Sequence, residues 1–220
     1  MKKIAICILI IALILGICTV ALAKTSPNFY YQVGAFLKEA LKKQDNQPES
    51  NPILAKYDGS PISAELVRYY KNISSLRSEE DPTKHDTDFE VINGIIESMI
   101  LLEEAERLGL SATDEEIASM VNNAIKAYSI PSGKEMMDAY FQGAGITFDE
   151  YISMLKDQAP YIISTQKLID SFGKQYCEEN NLEFTKINPP AEMVAAQKAY
   201  IKQLFEQNKD KIEYFIDVPA

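Results

Sequence analysis

The sequence predicts a mainly α-helical domain with a small β-sheet that joins the start of the domain to its end. Three observations predict this class. Apolar residues recur at helical spacing through most of the 220-residue chain. Hydroxyl residues followed three positions later by glutamate, a signature of helix N-termini, occur several times. β-prone residues flank an Asp-Gly turn at positions 58 and 59 and recur at the C-terminal end.

The composition indicates a folded, acidic protein. Apolar residues make up 46% of the chain, with only nine glycines and ten prolines, which is typical of a globular domain. All 32 acidic residues and all but two of the 22 basic residues lie beyond position 23. Residues 24–220 are therefore strongly acidic and repel polyanions, which predicts no nucleic-acid partner.

The first 23 residues are predicted to be a signal peptide or membrane anchor. Lys2 and Lys3 precede an uncharged stretch, Ile4 to Ala23, that ends in Ala-Leu-Ala. That ending fits a signal-peptidase site, whereas about 20 apolar residues are also long enough to span a bilayer. Cleavage, which gives a secreted protein, and retention as a single N-terminal anchor both remain open. In either case residues 24–220 face outward from the cytoplasmic membrane.

Cysteine usage predicts that no internal disulfide holds the exported part. Cys7 and Cys18 lie in the apolar segment, and Cys177 is the one thiol beyond it. Lipid attachment at Cys18 is disfavoured, because Ile17 stands where such signals carry Gly or Ala. Cys177 is predicted to be a small, partly buried residue late in a helix, so helix packing must stabilise the domain.

Residues 24–52 are predicted to form an amphipathic stalk and a linker. Residues 28–43 place apolar side chains at helical spacing and lysines near the C-terminal end. Residues 44–52 are polar and contain two prolines, as linkers do, so the domain is expected to span 53–220. The sequence leaves open whether the stalk, residues 26–43, lies on the membrane or packs on the domain.

The domain is predicted to open with a hairpin that leads into a helix. Ile53–Tyr57 and residues 60–62 can pair across Asp58-Gly59, because a two-residue hairpin turn needs positive φ at its centre. Pro61 has no N–H to give to a ladder, so its strand should lie at a sheet edge. Ser63 then caps a helix. Its apolar face carries Leu66, Val67, Tyr70 and Ile73.

The remaining helices are predicted from capping residues and from apolar residues at helical spacing. A helix from about residue 89 to residue 108 should end at Gly109, in the left-handed conformation that glycine tolerates. Capping boxes at Thr113, Ser132 and Thr147, each with a glutamate three positions on, predict helices over 114–128, 134–142 and 148–179. Pro160 should kink the last of these. A final helix over 190–208 precedes a strand over 211–218, which is predicted to pair with the hairpin.

The sequence offers no catalytic or cofactor motif, which predicts a non-enzymatic protein without a cofactor. His85, the single histidine, stands near Asp81, Asp86 and Asp88. Neighbouring Pro and Thr residues indicate a solvated loop there, so no metal site is predicted.

A group of methionines and aromatic residues is the candidate binding surface. Flexible thioethers beside aromatic rings suit surfaces that accept many apolar sequences. The competing interpretation is that these side chains are simply core, since such stripes usually pack inward. The candidate client-binding residues are Met120, Tyr128, Met136, Met137, Tyr140, Phe141, Phe148 and Tyr151.

The order of three stretches resembles the N-terminal chaperone region of the SurA and PrsA family of extracytoplasmic folding factors, and the trigger-factor cradle is similar in kind. The stretches are "AKYDGSPISAELVRYY", "VINGIIESMILLEEAERLGLSATDEEIASMV" and "GITFDEYISML". The resemblance spans residues 55–177. It implies an exported, mostly helical domain that holds unfolded or partly folded client proteins.

One departure from the family limits what carries over. Full members bear parvulin-type prolyl isomerase domains, and the stretch after Cys177 is expected to be too short for one. It also lacks the glycine-rich, histidine-bearing strands of such a domain, so isomerase activity is not carried over. The alternative function is a membrane-anchored ectodomain, structural or signalling, that binds one dedicated protein partner.

Overall fold

The computed structural model describes residues 27, 28, 30–35, 38, 51–77 and 86–217. Residues 1–23 with Cys7 and Cys18, most of the linker, and His85 with Asp81 lie outside the described residues, as do the side chains of residues 72–77. Within the described ranges, no helix is both long and apolar enough to cross a membrane.

The described residues confirm a mainly helical fold with one small sheet. Residues 27, 28, 30–35 and 38 are helical and are called here the N-terminal helical segment. The elements that follow are β1 (Ile53–Tyr57), β2 (Ser60–Ser63), α1 (Ala64–Arg77), α2 (Asp88–Arg107), α3 (Asp114–Ser129), α4 (Pro131–Ala144), α5 (Phe148–Glu179), α6 (Ala191–Gln207), a 3-10 turn (Lys209–Lys211) and β3 (Ile212–Tyr214).

The opening hairpin forms as predicted. Asp58 and Gly59 have φ angles of 46° and 74°, the positive values that its two-residue turn requires. β2 pairs antiparallel with β1, Tyr57 opposite Ser60, and lies at an edge of the sheet order β2-β1-β3. Pro61 therefore occupies an edge strand, where its missing N–H costs no ladder bond. The hydroxyl of Ser63 caps α1 by accepting a hydrogen bond from the Leu66 N–H at 3.3 Å.

The C-terminal strand joins this hairpin, which confirms the predicted sheet. β3 pairs antiparallel with β1, with Tyr57 opposite Ile212 and Ala55 opposite Tyr214. Beyond the strand, the Phe215 N–H still donates to the Leu54 carbonyl at 2.8 Å. The strand itself covers 212–214, shorter than the predicted 211–218.

Two of the three predicted capping boxes are present, at Thr113 and Thr147. The box at Ser132 was wrong, because α4 begins at Pro131 and has no side-chain cap. Proline suits a first helical position because it has no N–H to satisfy there. A box that the sequence reasoning missed lies at Thr87, whose hydroxyl accepts from the Glu90 N–H at 3.2 Å and starts α2.

The other helix boundaries agree closely with the prediction. Gly109 takes a left-handed φ of 69° just after α2, and the Leu110 N–H donates back to the Ala105 carbonyl at 2.8 Å. α5 covers 148–179 as predicted and continues through Pro160. Whether its axis bends there stays a prediction. Cys177 is buried near the end of α5 with 1% of its surface exposed.

Two apolar clusters form the core. The first, here the sheet cluster, joins β1 and β2 to α1, α2 and α6. It consists of Ala55, Tyr57, Ile62, Val67, Val91, Ile92, Ile95, Ile96, Ile100 and Leu204. The second, here the aromatic cluster, contains the buried residues Tyr30, Val33, Tyr69, Val121, Tyr140, Phe141, Ala144, Tyr151 and Leu155. Tyr70 of α1 packs against both clusters, so α1 connects the two halves of the core.

Candidate functional site

The structure brings all eight predicted client-binding residues into the aromatic cluster, although they come from three helices. Tyr140, Phe141 and Tyr151 are buried, with 4%, 6% and 3% of their surface exposed. The other five lie at the edge of the cluster and are partly exposed: Met120, Tyr128, Met136, Met137 and Phe148. The cluster thus combines a packed interior with an accessible rim, and only the rim can be reached without displacing another element.

Phe141 lies at the centre of the ring packing. Its centroid is 5.4 Å from that of Tyr151, 5.8 Å from that of Tyr140 and 6.0 Å from that of Tyr128. The tilted and edge-on angles of these pairs are those that aromatic quadrupoles prefer. α4 is thereby fixed to both α3 and α5 through one side chain.

The rim contains one stacked pair of rings. Tyr128 of α3 and Phe148 of α5 lie 4.2 Å apart with planes inclined by 14°. Stacking joins the end of α3 to the start of α5, and the capping box at Thr147 fixes the chain just before Phe148. The stack and the capping box therefore both help to position the rim rings.

Polar groups at the same rim hold the Tyr128 phenol in place. It donates to the Asp138 carboxylate at 2.7 Å and accepts from the Lys134 ammonium at 3.1 Å. Hydrogen bonds from Lys134 first, and from Tyr128, hold the pKa of the Asp138 carboxyl below its ordinary value. The same contact with Asp138 raises the pKa of Lys134. Both groups are thus charged at neutral pH and give the rim a polar border.

Two exposed apolar side chains, one on α3 and one directly before α4, escaped the sequence reasoning. Ile125 and Ile130 are 41% and 56% exposed; Ile125 lies on α3, and Ile130 directly precedes α4. The Ile130-Pro131 pair could have predicted the position of Ile130, because a residue directly before a first-turn proline lies outside the helix that follows.

The N-terminal helical segment also belongs to this site. Tyr30 and Val33 are buried in the aromatic cluster, each with 7% of its surface exposed. The part of the stalk described here therefore packs on the domain, which settles for these residues a question that the sequence left open.

The aromatic cluster offers an apolar contact surface. Among the described residues, no group of three or more His, Cys, Asp or Glu side chains is placed to hold a metal ion. The chemistry on offer is apolar: rings, thioethers and aliphatic side chains with a polar border. Such surfaces bind apolar segments of other polypeptides through a few buried anchors.

Comparison with known proteins agrees with the resemblance seen in the sequence. The family described as SurA-like N-terminal domain matches residues 2–161. Two curated relatives from strains of Clostridium perfringens, each named foldase protein PrsA, are 27% identical over 100 residues, which cover 43% of this chain and 29% of each relative. The chain thus matches less than a third of the length of these relatives. No solved structure matches.

Proposed function

The chain belongs to the family of SurA-like N-terminal domains, and we propose from that premise that it is a chaperone-like domain acting outside the cytoplasm. Its clients are unfolded or partly folded exported proteins, which it holds without catalysing any step. Residues 1–23 direct its export and, where they stay uncleaved, anchor it to the outer face of the cytoplasmic membrane.

The observation that carries this proposal is the aromatic cluster with its accessible rim. Three methionines and two stacked rings lie at one surface, bordered by the Lys134–Asp138 ion pair. Methionine side chains adapt their shape at little cost, so such a rim accepts different apolar segments. Contacts of this unspecific kind bind on the order of micromolar.

The test is suppression of aggregation by the exported protein as recovered from its expression host. A heat-unfolded or reduced client protein is followed by light scattering with the wild-type protein in several-fold excess. The rim variant replaces Met120, Met136 and Met137 by glutamine, which keeps side-chain length but removes the apolar surface. The buried Tyr140 and Phe141 are left intact, because replacing them would create core cavities.

A matched control separates the rim from apolar surface in general. Ile187 is 81% exposed in the loop between α5 and α6 and lies outside both clusters. Ile187→Gln should protect the client as well as wild type, while the rim variant should lose most protection. Wild-type protein that leaves aggregation unchanged contradicts the proposal and favours an ectodomain with one dedicated partner. Equal protection by a folded rim variant removes the rim from the client site.

A further inference from the structure

The N-terminal helical segment lies on the same stretch of α4 that carries two of the candidate client-binding residues. Tyr30 and Val33 point into the aromatic cluster beside Tyr140 and Phe141, whereas Tyr31 and Gln32 are exposed. The segment is thus an amphipathic helix whose apolar side faces the site.

A glycine on each helix permits an unusually close approach. A Cβ atom on Gly34 would lie 2.6 Å from the Ala144 nitrogen and closer still to the Tyr140 carbonyl oxygen. A Cβ atom on Gly143 would lie 2.7 Å from the Ala35 nitrogen. The two backbones are therefore in direct contact, which only glycine allows at both positions. This face of α4 fits a helix with a small residue at the crossing point.

The charge of Lys38 also suits its position against α4. The Lys38 side chain of the segment reaches the end of α4, where its Nζ would lie 3.1 Å from a Cβ atom built on Gly145. Gly145 caps α4 in the left-handed conformation with φ 68°. A lysine at this position complements the negative end of the α4 dipole. This face of α4 therefore fits a helix with four features. They are an aromatic residue, an apolar residue three positions later, a small residue directly after that, and a cation one turn after the small residue.

A polar linker ties this segment to the domain. The nine residues from Gln44 to Pro52 contain two prolines and no aliphatic or aromatic side chain. A short tether of this kind gives the segment an effective concentration on the order of millimolar at its own docking face. A client that binds the same face must displace it, which reduces the client's apparent affinity.

We propose that the N-terminal helical segment is a resident occupant of the client site, and that the site takes amphipathic helical segments of clients in its place. The inference rests on the proposed function, because it names the face of α4 where that function is carried out. In the absence of client the segment covers the apolar face. A client helix with the same pattern replaces it and releases the segment.

The experiment measures binding of a synthetic probe to the exported protein as recovered from its host. The probe is a fluorescein-labelled peptide with the sequence of residues 26–43, "SPNFYYQVGAFLKEALKK". Gly34→Val in the protein should undock the segment and open the face, so the peptide should bind this variant at least about 10-fold more tightly than wild type. Gly34→Ala should give an intermediate gain. A peptide that itself carries valine for glycine at this position should not bind.

Two controls make the result decisive. Gly94→Val changes a helical glycine whose Cβ position is open and should leave peptide binding at the wild-type value. Hydrogen exchange should show residues 31–35 protected in wild type and unprotected in Gly34→Val, with β1 and β3 protected in both. Equal peptide affinity for wild type and Gly34→Val overturns the proposal, and so does a Gly34→Val segment as protected as in wild type.

The aggregation assay distinguishes failure of this inference from failure of the proposed function. Suppressed aggregation without the expected peptide pattern keeps the chaperone role and removes the resident occupant. Tighter peptide binding to Gly34→Val without any suppression keeps the helix-binding face, but it assigns that face to a dedicated helical partner.

Discussion

The phenol of Tyr57 in β1 donates a hydrogen bond to the Glu103 carboxylate in α2 at 2.7 Å, and the same phenol lies 3.4 Å from the Asn208 side-chain oxygen that follows α6. Tyr57 is fully buried, while the Glu103 side chain is 45% exposed. One side chain therefore connects the first strand, the second helix and the C-terminal end of the domain.

Tyr57→Phe should lower the stability of the whole domain. The substitution keeps the buried ring but removes its hydrogen bond, and Glu103 can return to water. The expected loss is therefore about 1 kcal/mol in the free energy of unfolding, the usual net contribution of one such bond. Urea denaturation followed by circular dichroism measures it. An unchanged urea midpoint would mean that burial of the Tyr57 ring, and not its hydrogen bond, stabilises the strand.

Alkaline pH should weaken the fold through three tyrosines that are buried or half-buried. Burial raises the pKa of Tyr57, Tyr70 and Tyr161 above the ordinary value, and for Tyr57 the hydrogen bond to Glu103 adds to the effect. The unfolded chain ionises first, at about pH 10, so this stability is complete below that pH and is lost as pH rises through the folded-state values. Urea midpoints at pH 8 and pH 11 should differ less for Tyr57→Phe than for wild type.

Ser164→Ala should disturb the contact between α5 and the loop before α3. The buried Ser164 hydroxyl donates to the Pro160 carbonyl at 2.6 Å and accepts from the Ala112 N–H at 3.0 Å. Its loss leaves that N–H without this acceptor, at a cost of about 1 to 3 kcal/mol. Thr165→Ala is the control, because the Thr165 hydroxyl donates to the Tyr161 and Ile162 carbonyls of its own helix. If Ser164→Ala and Thr165→Ala melt at the same temperature, the hydrogen bond between Ala112 and Ser164 does not contribute to stability.

Gly94 and Gly109 should respond to alanine in opposite directions. Both have open space where a Cβ atom would stand, but Gly109 alone has a positive φ, 69°. Gly94→Ala lies inside α2 and should stabilise the domain by about 0.5 to 1 kcal/mol. Gly109→Ala should destabilise it by about 1 to 2 kcal/mol. The same urea titration tests both, and two shifts of equal sign would contradict the backbone argument.

Local signals made much of the fold predictable. The boxes at Thr113 and Thr147 each need only residues three positions apart, and the Asp58-Gly59 turn is set by its own two residues. The capping box predicted at Ser132 does not form, because the helix begins at Pro131 instead. Thr87 was missed because its pattern stood within a charged loop.

The candidate site was predictable only in part. The three helices that hold it follow each other closely in the chain, so their methionines and rings could be expected to meet. Which of them are buried depends on the helices that pack above them, as the difference between Phe141 and Met137 illustrates. The contact between Gly34 and Gly143 left no sequence signal, because a helical glycine by itself indicates only weaker helix propensity.

The sheet also sets the order in which the protein can fold. Tyr57 and Asn208, whose side chains lie 3.4 Å apart, are separated by 151 positions, and β3 follows Asn208 after the 3-10 turn. A chain synthesised from its N-terminus therefore presents β1 and β2 long before their third strand exists, and a lone hairpin with an open edge is only marginally stable. Contacts this distant in sequence also form slowly. Until its last strand emerges, the domain is itself an unfinished polypeptide with exposed apolar surface, in the same condition as the clients we assign to it.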